Sequence, residues 1–207
     1  MKNIPPPDDD PDGQKDLDRH RAFLELVYRG LEAGVESTRA HFTTFKLTYS
    51  GTAFSSLVRC HLHEHIERNK HLHPELKVLR LANDGVLIEH AGCVMRMWKA
   101  GEDGTLPPAR SSQTKAEHYR QVELFAYGTP GVSPRKLVIL FELDEQHALS
   151  EVWLVCPRND VDSWNPPDIH WQIRVPHPAE SIQPAQGFGA DERDDQEPMT
   201  GTGSNDS

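Results

Sequence analysis

The sequence predicts an α+β fold: a mainly antiparallel sheet of about five to seven strands packed with about three helices. Three observations carry this. Apolar residues recur at helical spacing in two stretches of the first 70 residues, and beyond residue 75 short runs alternate apolar and polar side chains. Turn residues separate those runs closely enough for neighbours to pair antiparallel. Helices do not follow each strand, as a doubly wound sheet would require.

The elements follow in order. Asp16 or Asp18 can cap a helix, and Phe23, Leu24, Val27, Leu31 and Val35 then fall on one helical face, which predicts a first helix over 17–39. Gly30 and Gly34 weaken that helix intrinsically and mark a close helix crossing. Phe45, Leu47 and Tyr49 alternate with Thr44, Lys46 and Thr48, the pattern of a short strand. Ser50-Gly51-Thr52 ends it and opens a second helix over 53–69, which Pro74 stops.

Residues 76–81 and 86–90 read as a hairpin through Asn83-Asp84-Gly85, because Asp-Gly supplies the positive φ of a tight turn. Ala91-Gly92 leads into an alternating strand over 93–99, and residues 100–113 form a loop rich in Gly, Pro and Ser. Thr114 and Glu117 have capping-box spacing, with Tyr119, Val122 and Phe125 on one face of a third helix. After a loop over 127–134, strands over 136–143 and 149–156 flank the turn Asp144-Glu145-Gln146-His147. A last strand over 170–175 alternates Trp171, Ile173 and Val175. No internal repeat and no phosphate-cradling glycine motif occurs.

Composition divides the chain in three. Mean hydropathy is −0.64, and the apolar deficit is concentrated at the ends. Residues 1–18 hold two lysines and six aspartates and begin with a Pro/Asp run; residues 179–207 hold one arginine and seven acids. Neither end buries enough apolar surface to offset its ordering entropy, so both are expected to be disordered acidic tails around a single domain over 19–178. The tails account for the whole formal charge of −10, leaving a neutral domain that carries all twelve histidines. A neutral domain with acidic tails is poorly suited to gripping nucleic acid through its phosphates, so nucleic acid is expected only through a local basic patch.

Three cysteines without CxxC spacing argue against a disulfide framework and for a reducing compartment. No run approaches the roughly 18 apolar residues of a membrane span, and no charged-then-apolar leader opens the sequence. The expectation is a cytoplasmic protein with no membrane partner.

The densest chemical signal is the stretch His61–His73, with five histidines and two glutamates. At about 100° per residue, Leu57, Val58, Leu62 and Ile66 form an apolar sector that includes His61 and His65, while His63, Glu64 and Glu67 face the polar side. His61-Leu62-His63-Glu64-His65 resembles the H-x-x-E-H pattern of inverted zinc peptidases. That resemblance implies His61 and His65 as zinc ligands, Glu64 as general base and Glu142 as a downstream third ligand. It covers five residues. A catalytic zinc needs three protein ligands, and the helix supplies two, so the favoured reading is that His61 and His65 serve packing and that no cofactor is required.

A second signal lies between His90 and Lys136, where seven basic and four acidic residues give a local excess of three positive charges. Alternation sets Val94, Arg96 and Trp98 on one strand face, opposite Cys93, Met95, Met97 and Lys99, so Arg96 and Trp98 point outward. An arginine beside an indole suits stacking on a ligand ring. The expected function is therefore a small binding or regulatory protein that meets a protein or small molecule through Arg96, Trp98, Lys99 and Arg120. The alternatives are a zinc-dependent hydrolase built on His61, Glu64 and His65, and a metal-free nuclease or toxin-like enzyme with His118 as proton shuttle.

Overall fold

The computed structural model describes residues 11–81, 85–101, 104–110, 112–119, 135–158 and 164–180. The tails expected at the two ends largely fall outside this range. The described residues form helix α1 (Pro11–Thr44), helix α2 (Gly51–Asn69) with a 3-10 turn at Lys70–Leu72, strands β1 (Lys77–Arg80), β2 (Val86–His90) and β3 (Cys93–Lys99), helix α3 (Gln113–Tyr119), and strands β4 (Arg135–Leu143), β5 (Leu149–Pro157) and β6 (Ile169–Arg174). The fold is α+β, with a six-stranded sheet in sequence order β1-β2-β3-β4-β5-β6.

Every neighbouring pair is antiparallel except β3 and β4, which run parallel from Cys93↔Arg135 to Lys99↔Phe141. Parallel neighbours need a crossover, and the loop after β3 together with α3 supplies its described half. Tight turns join two of the antiparallel pairs. Ala91 and Gly92, both at positive φ, link β2 to β3, and the Asp144 carboxylate accepts the Gln146 and Ala148 N–H groups between β4 and β5.

Helix α1 starts at Pro11, six residues before the predicted start, and so takes in part of the expected tail. Proline suits the first helical position, where its missing N–H would have no partner. Composition misses these two turns because their residues are small or polar, yet the sheet holds them. A Cβ on Gly13 would sit 3.2 Å from the Trp171 ring, Asp16 pairs with Arg135 at 2.7 Å, and Leu17 is buried.

The strand predicted over 45–49 is absent. Helix α1 instead continues to Thr44 and closes through Phe45 N–H to the His41 carbonyl and Leu47 N–H to the Phe42 carbonyl, with Lys46 at φ 49°. The alternating aromatics serve a different end, for Tyr49 turns back to stack flat on His147 and to meet Phe54. Ser50 then caps α2 through the Ala53 N–H. At α3 the cap is Ser112, which accepts the Lys115 N–H, and not Thr114. The rest of the predicted third helix, Val122 and Phe125 included, lies outside the described residues.

The main core is sandwiched between the two long helices and one face of the sheet. Phe23, Leu24, Val27 and Leu31 of α1 and Phe54, Val58, Leu62 and Ile66 of α2 pack on Ile88, Met95, Met97, Leu137, Ile139, Phe141, Leu154 and Ile173. A smaller core lies on the opposite face, where Leu106, Ala109 and Tyr119 cover Val138, Leu140 and Val155. Among the described residues no helix is long and apolar enough to cross a membrane.

Candidate functional site

The H-x-x-E-H helix is a packing element. Its partner is the glycine pair of α1: a Cβ on Gly30 would meet Leu62 Cδ1 at 2.6 Å and His65 Cδ2 at 2.9 Å, and one on Gly34 would meet His61 Cβ at 3.2 Å. The two half-buried histidines therefore lie in the groove that the glycines open, as the expected close crossing requires. Burial, followed by the nearby Arg68 and Arg29, lowers the His65 pKa and keeps that ring neutral. Glu64 is exposed and bridged to Arg68 at 2.9 Å. Among the described residues, the groups of three metal-competent side chains lie elsewhere, and neither contains His61, Glu64 or His65.

The basic strand is covered. Arg96 and Trp98 do project from the face opposite Met95 and Met97, but α3 lies over them. Trp98 meets His118 and Tyr119 edge-on, at ring distances of 5.3 and 5.1 Å. Arg96 is half-buried, and its Nε has no hydrogen-bond partner. His118, the expected proton shuttle, is buried and donates from Nε2 to the Leu137 carbonyl at 2.9 Å. Burial pushes its pKa down to about 3, against the pull of that carbonyl, and the positive charges of Arg96 and Lys136 push the same way. The ring is thereby kept neutral and ties α3 to β4. Arg120 lies outside the described residues.

Lys99 is the member of the predicted binding set that borders open space. A cleft of about 610 Å³ is lined by Lys99, Ala100, Gly101, Gly104, Glu142, Leu143, Trp153 and Gln172. The Lys99 backbone borders the cleft, while its side chain lies on the helical face of the sheet, where Nζ donates to Tyr49 Oη at 3.2 Å. Glu142, expected as a distant zinc ligand, faces this cleft. Burial first and then the Glu151 charge raise its pKa, while the Trp153 indole N–H draws it the other way. Gly104 sits at φ 68°, and a Cβ there would collide with the Glu142 carboxylate. The cleft thus sets a carboxyl of raised pKa beside an indole and an amide.

A second cluster, which sequence reasoning missed, lies between the start of α1 and the β2–β3 turn. Asp16, His20 and Cys93, all buried, each offer a donor atom within 4.8 Å of the other two, and His73, Glu75 and His90 form an adjoining trio of the same kind. The two trios touch, since His20 Nδ1 and His90 Nδ1 are 2.7 Å apart. His90 Nε2 lies 3.0 Å from Glu75 Oε1. Glu75's pKa is lowered first by its own backbone N–H and also by His90, so the carboxylate accepts and His90 Nε2 carries the proton. His90 Nδ1 must then accept from His20 Nδ1–H. That leaves His20 Nε2 as a bare lone pair, fully buried and without a partner. The signal was present in the sequence as Asp16 and His20 four apart on a helix, and as His90 and Cys93 flanking a two-residue turn.

No protein-family model, no curated protein and no solved structure matches the chain.

Proposed function

We propose that the protein is a small binding or regulatory protein whose ligand site is the cleft bordered by Lys99, Glu142, Trp153 and Gln172. One observation carries the reading: a carboxyl with a raised pKa, a flat indole and a side-chain amide converge on one cleft. These groups suit a small planar organic molecule with a hydrogen-bond acceptor. Trp153 would wall its ring, Gln172 would meet its polar edge, and Glu142, when protonated, would donate a hydrogen bond that its ionised form lacks. The absence of disulfides among the three cysteines supports a reducing, cytoplasmic setting. His61 and His65 are engaged in a helix crossing and His118 in holding α3, which favours a binding role over the hydrolase and nuclease alternatives.

The test is a panel of aromatic amides and carboxylates followed by amide and indole NMR shifts. A binder should give saturable shifts at Gly101, Gly104, Gln172 and the Trp153 indole, and Glu142→Ala should weaken its binding about tenfold, corresponding to the roughly 1.4 kcal/mol of one lost hydrogen bond. Shifts confined to other surfaces, or binding indifferent to Glu142→Ala, would remove the cleft from consideration.

A further inference from the structure

We propose that Asp16, His20 and Cys93 bind one transition-metal ion of the zinc class, with His20 ligating through Nε2 and with His90, Glu75 and Arg135 as the outer groups that orient the ligands. The site lies beneath α1 and is separate from the cleft, so the proposal stands whether or not the cleft binds a ligand.

Four features of the cluster converge on a metal. The first is the unpartnered nitrogen. A fully buried imidazole that leaves a lone pair without a hydrogen-bond partner forfeits a stabilising contact, and an ion restores it. The second is the relay behind that ring. Metal-bound histidines commonly donate their other N–H to an acceptor that fixes tautomer and orientation. Here His20 Nδ1–H is held by His90, and His90 in turn is held by Glu75. Phe23 stacks on His90 at a ring distance of 4.9 Å, so this second ring is itself fixed.

The third feature is the carboxylate. Arg135 Nη1 donates to Asp16 Oδ2 at 2.7 Å, which orients Asp16 and leaves Oδ1 for an ion. The fourth is charge. A divalent ion with one carboxylate and one thiolate is formally neutral, which suits a buried site, with Arg19, Arg135 and Glu75 as the charges around it.

The donor chemistry selects the class of ion. One imidazole nitrogen, one thiolate and one carboxylate suit zinc or cobalt(II), whereas calcium and magnesium take nearly all-oxygen sets. Tetrahedral bonds of about 2.0–2.3 Å place donors roughly 3.3–3.8 Å apart. A cluster whose donor atoms already lie within 4.8 Å of one another needs to contract by about 1.5 Å at most. Binding removes the Cys93 thiol proton to solvent as the sulfur–metal bond forms. Because thiol, imidazole and carboxyl must all be deprotonated to ligate, affinity falls as the medium is acidified. The exposed Glu75 and half-buried His73 give the adjoining trio an open side through which an ion can reach the inner one.

The experiment uses the full chain, purified without a histidine tag, stripped with chelator and titrated with cobalt(II). One equivalent should give visible bands of tetrahedral cobalt and a near-ultraviolet thiolate-to-cobalt band, both bleached by zinc. Cys93→Ser should abolish the thiolate band, while Cys156→Ser and the double change His61→Ala/His65→Ala should retain it. Glu75→Gln, at an exposed position, should keep the band and weaken affinity about 10- to 100-fold, the usual effect of losing an outer-shell partner. Absence of a thiolate band in the unaltered protein overturns the proposal without reliance on any variant. So does a band that survives Cys93→Ser, or cobalt held only by the exposed histidines of residues 63–73.

Discussion

At the scale of single residues, His118 makes a quantitative claim. Its ring is buried against Trp98 and β4, faces the charges of Arg96 and Lys136, and has its pKa pushed down to about 3. In the unfolded chain the same imidazole titrates near the reference value of about 6.5. Between those values the unfolded state binds the extra proton, so the stability that neutral His118 confers is present above about pH 6.5 and is lost as the pH falls toward 3. From pH 7.5 to pH 5 the loss from this one group amounts to about 2 kcal/mol. Urea unfolding at several pH values, compared with His118→Gln, isolates it: the variant keeps a donor for the Leu137 carbonyl but has nothing to titrate. Its stability should fall about 2 kcal/mol less over that interval, and parallel pH profiles would refute the assignment. Individual side chains were legible in direction and illegible in surroundings. Alternation correctly separated Arg96 and Trp98 from Met95 and Met97. It carried no information about what covers a face, because α3 reaches Trp98 through a crossover that local periodicity does not encode. The buried cluster was hidden for a related reason, since Asp16 and Cys93 are 77 positions apart in the sequence.

At the scale of elements, the crossing of α1 and α2 is the contact with the least room. Alanine in place of Gly30 improves helix propensity by roughly 1 kcal/mol. Its Cβ, however, would stand 2.6 Å from Leu62 Cδ1 and 2.9 Å from the His65 ring, and overpacking of this kind costs about 1–3 kcal/mol. Crowding wins, and Gly30→Ala should destabilise the protein by up to about 2 kcal/mol. The mechanism is open to a double-mutant cycle. Leu62→Ala alone leaves a cavity costing about 2–5 kcal/mol, part of which the new methyl would fill. The double variant should therefore lose less than the two single losses combined by at least about 0.5 kcal/mol, and simple additivity would rule out the clash. Elements with strong periodicity and clear turn residues were read well: β2 to β6 fall within one residue of expectation at either end. The region between the two long helices was misread. Phe45, Leu47 and Tyr49 alternate as a strand would, but they have no partner strand. Lys46 at positive φ redirects the chain so that Tyr49 stacks on His147 of a turn about 100 residues later. Tertiary contacts overrode a local pattern that was only five residues long.

At the scale of the whole molecule, the sheet is covered unequally. Among the described residues the helical face buries twenty-seven hydrophobic residues in one cluster, and the opposite face buries six. Three polar contacts tie the smaller layer down: His118 to the Leu137 carbonyl, Lys136 Nζ to the Glu117 carbonyl, and Tyr119 Oη to the Pro107 carbonyl. Detaching that layer exposes far less apolar surface than separating α1 and α2 from the sheet. Its opening should therefore cost less free energy than global unfolding and occur as a separate event. Native-state hydrogen exchange resolves the two events. The amides of Ala116–Tyr119 should exchange with lower protection than those of Val138–Phe141, and Tyr119→Phe, which removes one of the three contacts, should lower α3 protection further while leaving β4 unchanged. Equal protection in α3 and β4 would mean that the two cores unfold as one unit. This separate opening is thus assigned to the layer over Trp98 and Arg96, next to the cleft at Lys99. A ligand held by that cleft and by Gly104 of the crossover should slow α3 exchange in proportion to its occupancy, because it binds only the closed form.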